Sequence, residues 1–191
     1  MRFSLSTWLV RDYEPEEAIE LLAGSGFRWL EISCCSSPLG QLWERDSVGV
    51  QRMLGASGME ACSVHDPDYG RFLDVADAAQ REAALQATMA YFRRAADCGM
   101  QEVIVHPTKP DDVSSPEGIL ASARRSRESL SRLSELAGRL GVSMAVENLP
   151  TVGLGRPDEA VAGLLELIDG LGEHVGICID IGHTWMSGYD P

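Results

Sequence analysis

Residues 140–149 read Leu140-Gly141-Val142-Ser143-Met144-Ala145-Val146-Glu147-Asn148-Leu149, and the order of these residue types decides the fold. A helical stretch ends at a glycine, a short apolar run follows, and that run closes on a carboxylate. Upstream, Leu130, Leu133, Leu136 and Leu140 recur at spacings of three and four, the period of one helix face. Gly141 is a helix stop. The run after it is short and apolar, as a strand buried in a parallel sheet is.

The same joint recurs along the chain. Gly26-Phe27, Gly58-Met59 and Gly99-Met100 each set a glycine and an apolar residue before a β-rich run. Working outward, strands are expected over 2–7, Trp29–Ser33, Glu60–His65, 102–106, Ser143–Glu147 and 175–180. Helices are expected over Pro15–Gly24, 76–98, Pro116–Leu140 and 158–171. Glu14, Glu16 and Glu17 suit the positive N-terminus of the first helix. Strands alternating with longer helices imply βα units and a parallel sheet.

Two parallel α/β folds fit this alternation, an open doubly wound sheet and a barrel. The turn after the first strand reads Ser6-Thr7-Trp8-Leu9-Val10 and has no phosphate-binding glycine. Polar or ionisable residues instead close most strands: Thr7, Ser33, His65, His106, Glu147 and Asp180. Chemistry spread over many strand ends is the habit of a TIM-type (β/α)8 barrel. The expectation is a single domain over 1–191 that supplies about six βα units of such a barrel.

Composition narrows the partners. Of 191 residues, 45% are hydrophobic and 24% charged, ordinary for a globular domain. The formal net charge of -13 repels phosphate backbones and counts against nucleic acid. No apolar run reaches the roughly 18–20 residues that cross a bilayer, and the N-terminus reads as no signal peptide. The cysteines are Cys34, Cys35, Cys62, Cys98 and Cys178, with no CxxC pair. This argues against a disulfide framework or structural zinc site and for a reducing, cytoplasmic setting.

Glu147 and Asp180 are the first candidates for chemistry. Each ends an apolar strand, where an unpaired carboxylate costs several kcal/mol or raises its pKa. A shared divalent cation is the economical partner. Oxygen donors suit Mg²⁺ or Mn²⁺, and added imidazole widens the choice to Zn²⁺, Co²⁺ or Fe²⁺. The competing roles are an Arg or Lys partner for Glu147 and a helix cap for Asp180. His65 and His106 end matching strands, and His183 stands where the next helix starts and can face the same mouth. Trp8, Phe72 and Trp185 fall in loops on that side and offer aromatic faces to a sugar, or simply pack. Glu31 lines the pocket or serves as a structural acid. Lys109 and Arg156 can meet a phosphate or carboxylate, and His174 reads as a solvated surface residue.

Taken in order, GFRWLEIS, CSVHDP, VIVHP, AVENLP and CIDIGH resemble the xylose isomerase-like TIM barrels. That superfamily includes sugar isomerases, ketose epimerases, inositol catabolic enzymes and an apurinic endonuclease branch. The resemblance implies that Glu147 and Asp180 are metal ligands and that Glu147 doubles as an acid/base. It implies that His183 touches substrate in the epimerases or binds metal in the endonucleases. His65 and His106 match positions that bind metal in the endonuclease branch and line the pocket elsewhere. It further implies a seventh strand ending in His and an eighth ending in Glu, whereas 191 residues reach the sixth and are short of the ~250 of a typical barrel.

The expected activity is therefore metal-dependent isomerisation or epimerisation of a small sugar, sugar phosphate or related polyol, by proton transfer through a metal-stabilised enediolate. Glu147 and His183 would be catalytic; His65, His106, Trp8, Glu31 and Trp185 would bind substrate. The cofactor would be Mn²⁺, Mg²⁺, Co²⁺ or Zn²⁺. Two alternatives remain open: an apurinic endonuclease-like zinc phosphodiesterase, and an incomplete, non-catalytic barrel acting as an interaction module. Open edges on strands one and six favour association, so a homo-oligomer is expected.

Overall fold

The computed structural model describes residues 3–34, 37–66, 72–107, 115–150 and 161–188. Among these residues, six strands form one sheet in sequence order. They are β1 (Ser4–Ser6), β2 (Trp29–Ser33), β3 (Glu60–His65), β4 (Glu102–Val105), β5 (Ser143–Glu147) and β6 (Val175–Cys178), and every neighbouring pair is parallel. Helices α1 (Pro15–Gly24), α2 (Pro38–Arg45), α3 (Ser47–Ala56), α4 (Ala78–Asp97), α5 (Pro116–Leu140), α6 (Val161–Ile168) and α7 (Ile181–Met186) lie between or after them.

The two faces of the sheet differ. Leu30, Ile32, Val64, Val103, Val105, Met144 and Val146 are buried and join the core packed against the helices. Alternate positions carry Glu31, Ser63, His65, Glu102 and Glu147. Period two thus sends aliphatic residues one way and chemistry the other. Burial and the charge of Glu31 push the Glu102 carboxyl up.

Proline and glycine set the helix bounds. α1, α2 and α5 carry proline in the first turn, where its missing N–H is no loss. α5 ends at Gly141 with φ 68°, a left-handed conformation that side-chain-bearing residues resist. Gly26, Gly58 and Gly99 stand in the same region at their joints.

Some expected bounds shift. Thr7 leaves β1 for a 3-10 turn over Thr7–Val10, because Ser6 accepts the Trp8 N–H and caps that turn. His106 lies just past β4, and Ile179 and Asp180 lie past β6. α4 starts at Ala78 because Asp77 caps it. α2 and α3, unexpected from the sequence, form the crossover between β2 and β3. His174, expected as a solvated surface residue, is half-buried beside Gly138. Arg2, Lys109, Arg156 and the start of the expected helix at 158 lie outside the described residues.

Candidate metal centre

Glu147 ends β5 with only 3% of its surface exposed. Its Oε2 stands 2.9 Å from His65 Nε2 and 2.9 Å from His106 Nε2. The two imidazole nitrogens are themselves 2.9 Å apart. Three donor atoms from the ends of β3, β4 and β5 thus form an equilateral triangle. One proton can bridge one edge, but no single proton serves all three corners. Atoms 2.9 Å apart can each lie about 2.0–2.1 Å from a common point, the length of a zinc bond to imidazole or carboxylate. A nitrogen-rich set of this kind fits Zn²⁺, Co²⁺ or Mn²⁺ better than Mg²⁺.

The other oxygen of Glu147 faces β6. His183 Nδ1 lies 3.7 Å from Glu147 Oε1 and 3.8 Å from Asp180 Oδ2. Donor atoms of Glu147, Asp180 and His183 all fall within 4.8 Å of one another. Asp180 serves two roles: Oδ1 accepts the His183 N–H at 2.7 Å and caps α7, and Oδ2 remains toward His183. His183 Nδ1 also stands 2.8 Å from the Asn148 carbonyl oxygen. A carbonyl only accepts, so Nδ1 carries a proton, and in the neutral ring Nε2 keeps the lone pair.

Local packing holds these groups. Ser126 Oγ donates to the Pro107 carbonyl at 2.6 Å, pinning the residue after His106. Ser129 Oγ donates to the Leu73 carbonyl. Both serines lie on the buried face of α5. Ser6 Oγ donates to Glu31 Oε1 at 2.9 Å, and that oxygen lies 3.7 Å from His65 Nδ1. A carboxylate behind a metal-facing histidine steadies the ring and its tautomer. The structure therefore sets Glu31 behind His65. Trp8 and Trp185 are 48% and 72% exposed on the strand-end side; Arg11 stacks over the Trp8 ring at 4.6 Å. Sequence reasoning passed over Asn148, whose only signal was its place next to Glu147.

Electrostatics follow from these contacts. Burial pushes the His65 imidazole down, but hydrogen bonds and charge from Glu147 and Glu31 outweigh it and raise it from 6.5 to about 10. Burial pushes the Glu147 carboxyl up, but hydrogen bonds and charge from His106 and His65 hold it at about 2 against an ordinary 4.5. The His65 contribution to stability is complete below pH 6.5 and is lost as pH rises through about 10. The Glu147 contribution is complete above pH 4.5 and is lost as pH falls through about 2. Thermal unfolding in a chelator is therefore expected to show this pair's full effect between pH 4.5 and 6.5. His65→Gln should flatten the alkaline side. An unchanged alkaline slope would refute the pairing. Ions must displace the His65 proton, so their affinity rises with pH on that same side.

Residues 19–191 match the family described as xylose isomerase-like TIM barrel. A crystal structure of a D-tagatose 3-epimerase-like protein superposes with a TM-score of 0.81 at 21% identity, over 96% of this chain and 66% of that one. The IOLI protein solved with a binding zinc atom superposes with a TM-score of 0.79 at 14% identity, over 100% of this chain and 66% of that one. "Probable endonuclease 4" of Oleidesulfovibrio alaskensis is 32% identical over 120 residues, which are 61% of this chain and 38% of that protein. This chain thus covers just under two thirds of those two solved chains and well under half of the curated relative. A match that runs over residues 19–191, on a sheet whose neighbouring strands are all parallel, places the chain: it belongs to the xylose isomerase-like TIM barrel family.

Proposed function

We propose that this protein is a metal-dependent isomerase or epimerase of a small sugar, sugar phosphate or related polyol. The observation that carries this reading is the split of Glu147 between two donor sets. Oε2 meets His65 and His106, while Oε1 is left toward His183 and Asp180. His65, His106 and Glu147 would hold one divalent ion, and Asp180 stands with His183 in a second group on the other side of Glu147. When bound, that ion polarises a substrate carbonyl and its neighbouring hydroxyl.

The protein groups then have distinct tasks. Glu147 is ionised at neutral pH, the form that accepts a proton from carbon beside a carbonyl. Return of that proton to the neighbouring carbon is isomerisation, whereas epimerisation needs the proton delivered to the opposite face by a second acid. His183, protonated at Nδ1, has Nε2 available to hold a substrate oxygen. Exposed Trp8 and Trp185 are the aromatic surfaces for a sugar ring.

A second reading has its own support. The two-histidine cluster is a zinc-type donor set, and the curated relatives bear an endonuclease name. A metal-dependent phosphodiesterase uses such a set, although the charge of -13 opposes DNA. The full-length protein with Mn²⁺ and a panel of ketoses and ketose phosphates in deuterated water separates the two. Loss of the proton beside the carbonyl is expected for at least one compound. No exchange on any of them, together with zinc-dependent nicking of an abasic duplex, would overturn the proposal in favour of the second reading.

A further inference from the structure

Asn148 is 1% exposed and sits between the two acids without being either of them. Its carboxamide is fully used. Oδ1 accepts the Asp180 N–H at 2.7 Å, and Nδ2 donates to the Asp180 carbonyl at 3.0 Å and to Thr184 Oγ1 at 3.1 Å. Thr184 Oγ1 in turn donates to the Asp180 carbonyl at 2.9 Å. The backbone joins in: Asn148 N–H donates to the Cys178 carbonyl at 3.3 Å, and the Asn148 carbonyl accepts from His183 Nδ1 at 2.8 Å.

β6 ends at Cys178, so Asp180 has left the strand. The Asn148 side chain takes over there, presenting one acceptor and one donor to the two polar groups of Asp180 as a neighbouring strand would. An aspartate of the same shape lacks the donors, and an alanine lacks both functions.

From this we infer that Asn148 is the positioning residue of the site: it clamps the Asp180 backbone beside Glu147 and, through α7, holds His183 in the Nδ1-protonated form with Nε2 available. The inference rests on the proposed reading of this mouth as a metal-assisted proton-transfer site. It adds that the β6–α7 turn has no fixed position without the carboxamide. Outer-shell partners of this kind carry roughly 10–100-fold in metal affinity.

The test uses the full chain as wild type, Asn148→Asp, Asn148→Ala and Thr184→Val. Ring nitrogen shifts of His183 in mildly alkaline, chelated buffer report the tautomer. Titration with Mn²⁺ and Zn²⁺ reports affinity. The wild type is expected in the Nδ1–H form. Asn148→Asp is expected to show mixed tautomers and roughly 10–100-fold weaker ion binding, and Thr184→Val, which removes one partner of the carboxamide, a smaller change in the same direction. Asn148→Ala should match Asn148→Asp if it folds; if it does not, Asn148→Asp decides alone. A wild type in the Nε2–H form, or an Asn148→Asp protein with wild-type tautomer and affinity, overturns the inference. Sugar turnover is a separate readout: its absence with the tautomer result intact removes the proposed substrate and leaves the clamp standing.

Discussion

Replacing Glu147 by glutamine is expected to remove both candidate donor sets at once. Each of its oxygens serves one of them: Oε2 lies 2.9 Å from both His65 and His106, and Oε1 faces His183 at 3.7 Å. Glutamine keeps the shape and most of the packing, so the fold survives. It loses the charge that steadies a cation and the basic oxygen that moves a proton. Divalent-ion affinity should fall by more than the roughly 10–100-fold of an outer-shell partner. Turnover of any substrate found should fall a further ~10²–10⁴-fold, the usual worth of a general acid or base. His65 should titrate well below about 10, because its strongest partner is gone. Asp180→Asn is the informative comparison. Asp180 has 38% of its side chain exposed, and asparagine still caps a helix, so the loss there is smaller. Calorimetric titration with Mn²⁺ and Zn²⁺ measures the difference. Equal affinities for wild type and Glu147→Gln would remove the shared-carboxylate account.

How far the site shows in the sequence depends on what each feature needs. β2, β3, β5, α1 and α5 fall where periodicity, proline and glycine put them. Strand-end acids and histidines are equally visible, because an ionisable residue closing an apolar run stands out. What the sequence does not show is that His65 and His106 meet on one oxygen of Glu147. That meeting depends on register. β2 and β3 slip past one another between Leu30 and Glu31, so that Glu31 pairs with Ser63 and Ser33 with His65. A shift of one residue sends a side chain to the opposite face, and spacing alone carries no trace of it. The role of Asn148 is hidden for a similar reason, since its partners are 32 and 36 residues away.

α2 and α3 are hidden for a different reason. They are eight and ten residues long, and Asp46 ends one and caps the next. Gly40, Gly49 and Gly55 interrupt them, and glycine is a poor helix former. Two short helices broken at Asp46 never sustain one apolar period, so the segment reads as a connection. Tertiary packing makes them helices, and Trp43 on α2 is the largest fully buried side chain among the described residues.

Trp43→Ala is accordingly expected to destabilise the protein by about 3–5 kcal/mol, the usual range for emptying a large aromatic site. The ring stacks on Tyr91 of α4 at 5.9 Å and 8°. Tyr91 then donates its hydroxyl to Glu44 of α2 at 2.6 Å, so the substitution loosens a crossover that ties α2 to α4. In a chain of this length each kcal/mol moves Tm by roughly 2–4 °C, and the loss should be plain in a melting curve. Trp43→Phe is expected to be much milder, about 1–2 kcal/mol or less, because two effects oppose. The smaller ring leaves a void, yet among the described residues the indole N–H has no acceptor, and removing a buried orphan donor recovers about 1–3 kcal/mol. Ion affinity of the folded fraction should stay at the wild-type value in both variants, since Trp43 belongs to neither donor group. Urea denaturation with and without Zn²⁺ separates these effects. A phenylalanine variant as unstable as the alanine one would mean that the indole N–H has a partner in solution, and that the crossover is held by a hydrogen bond and not by ring packing.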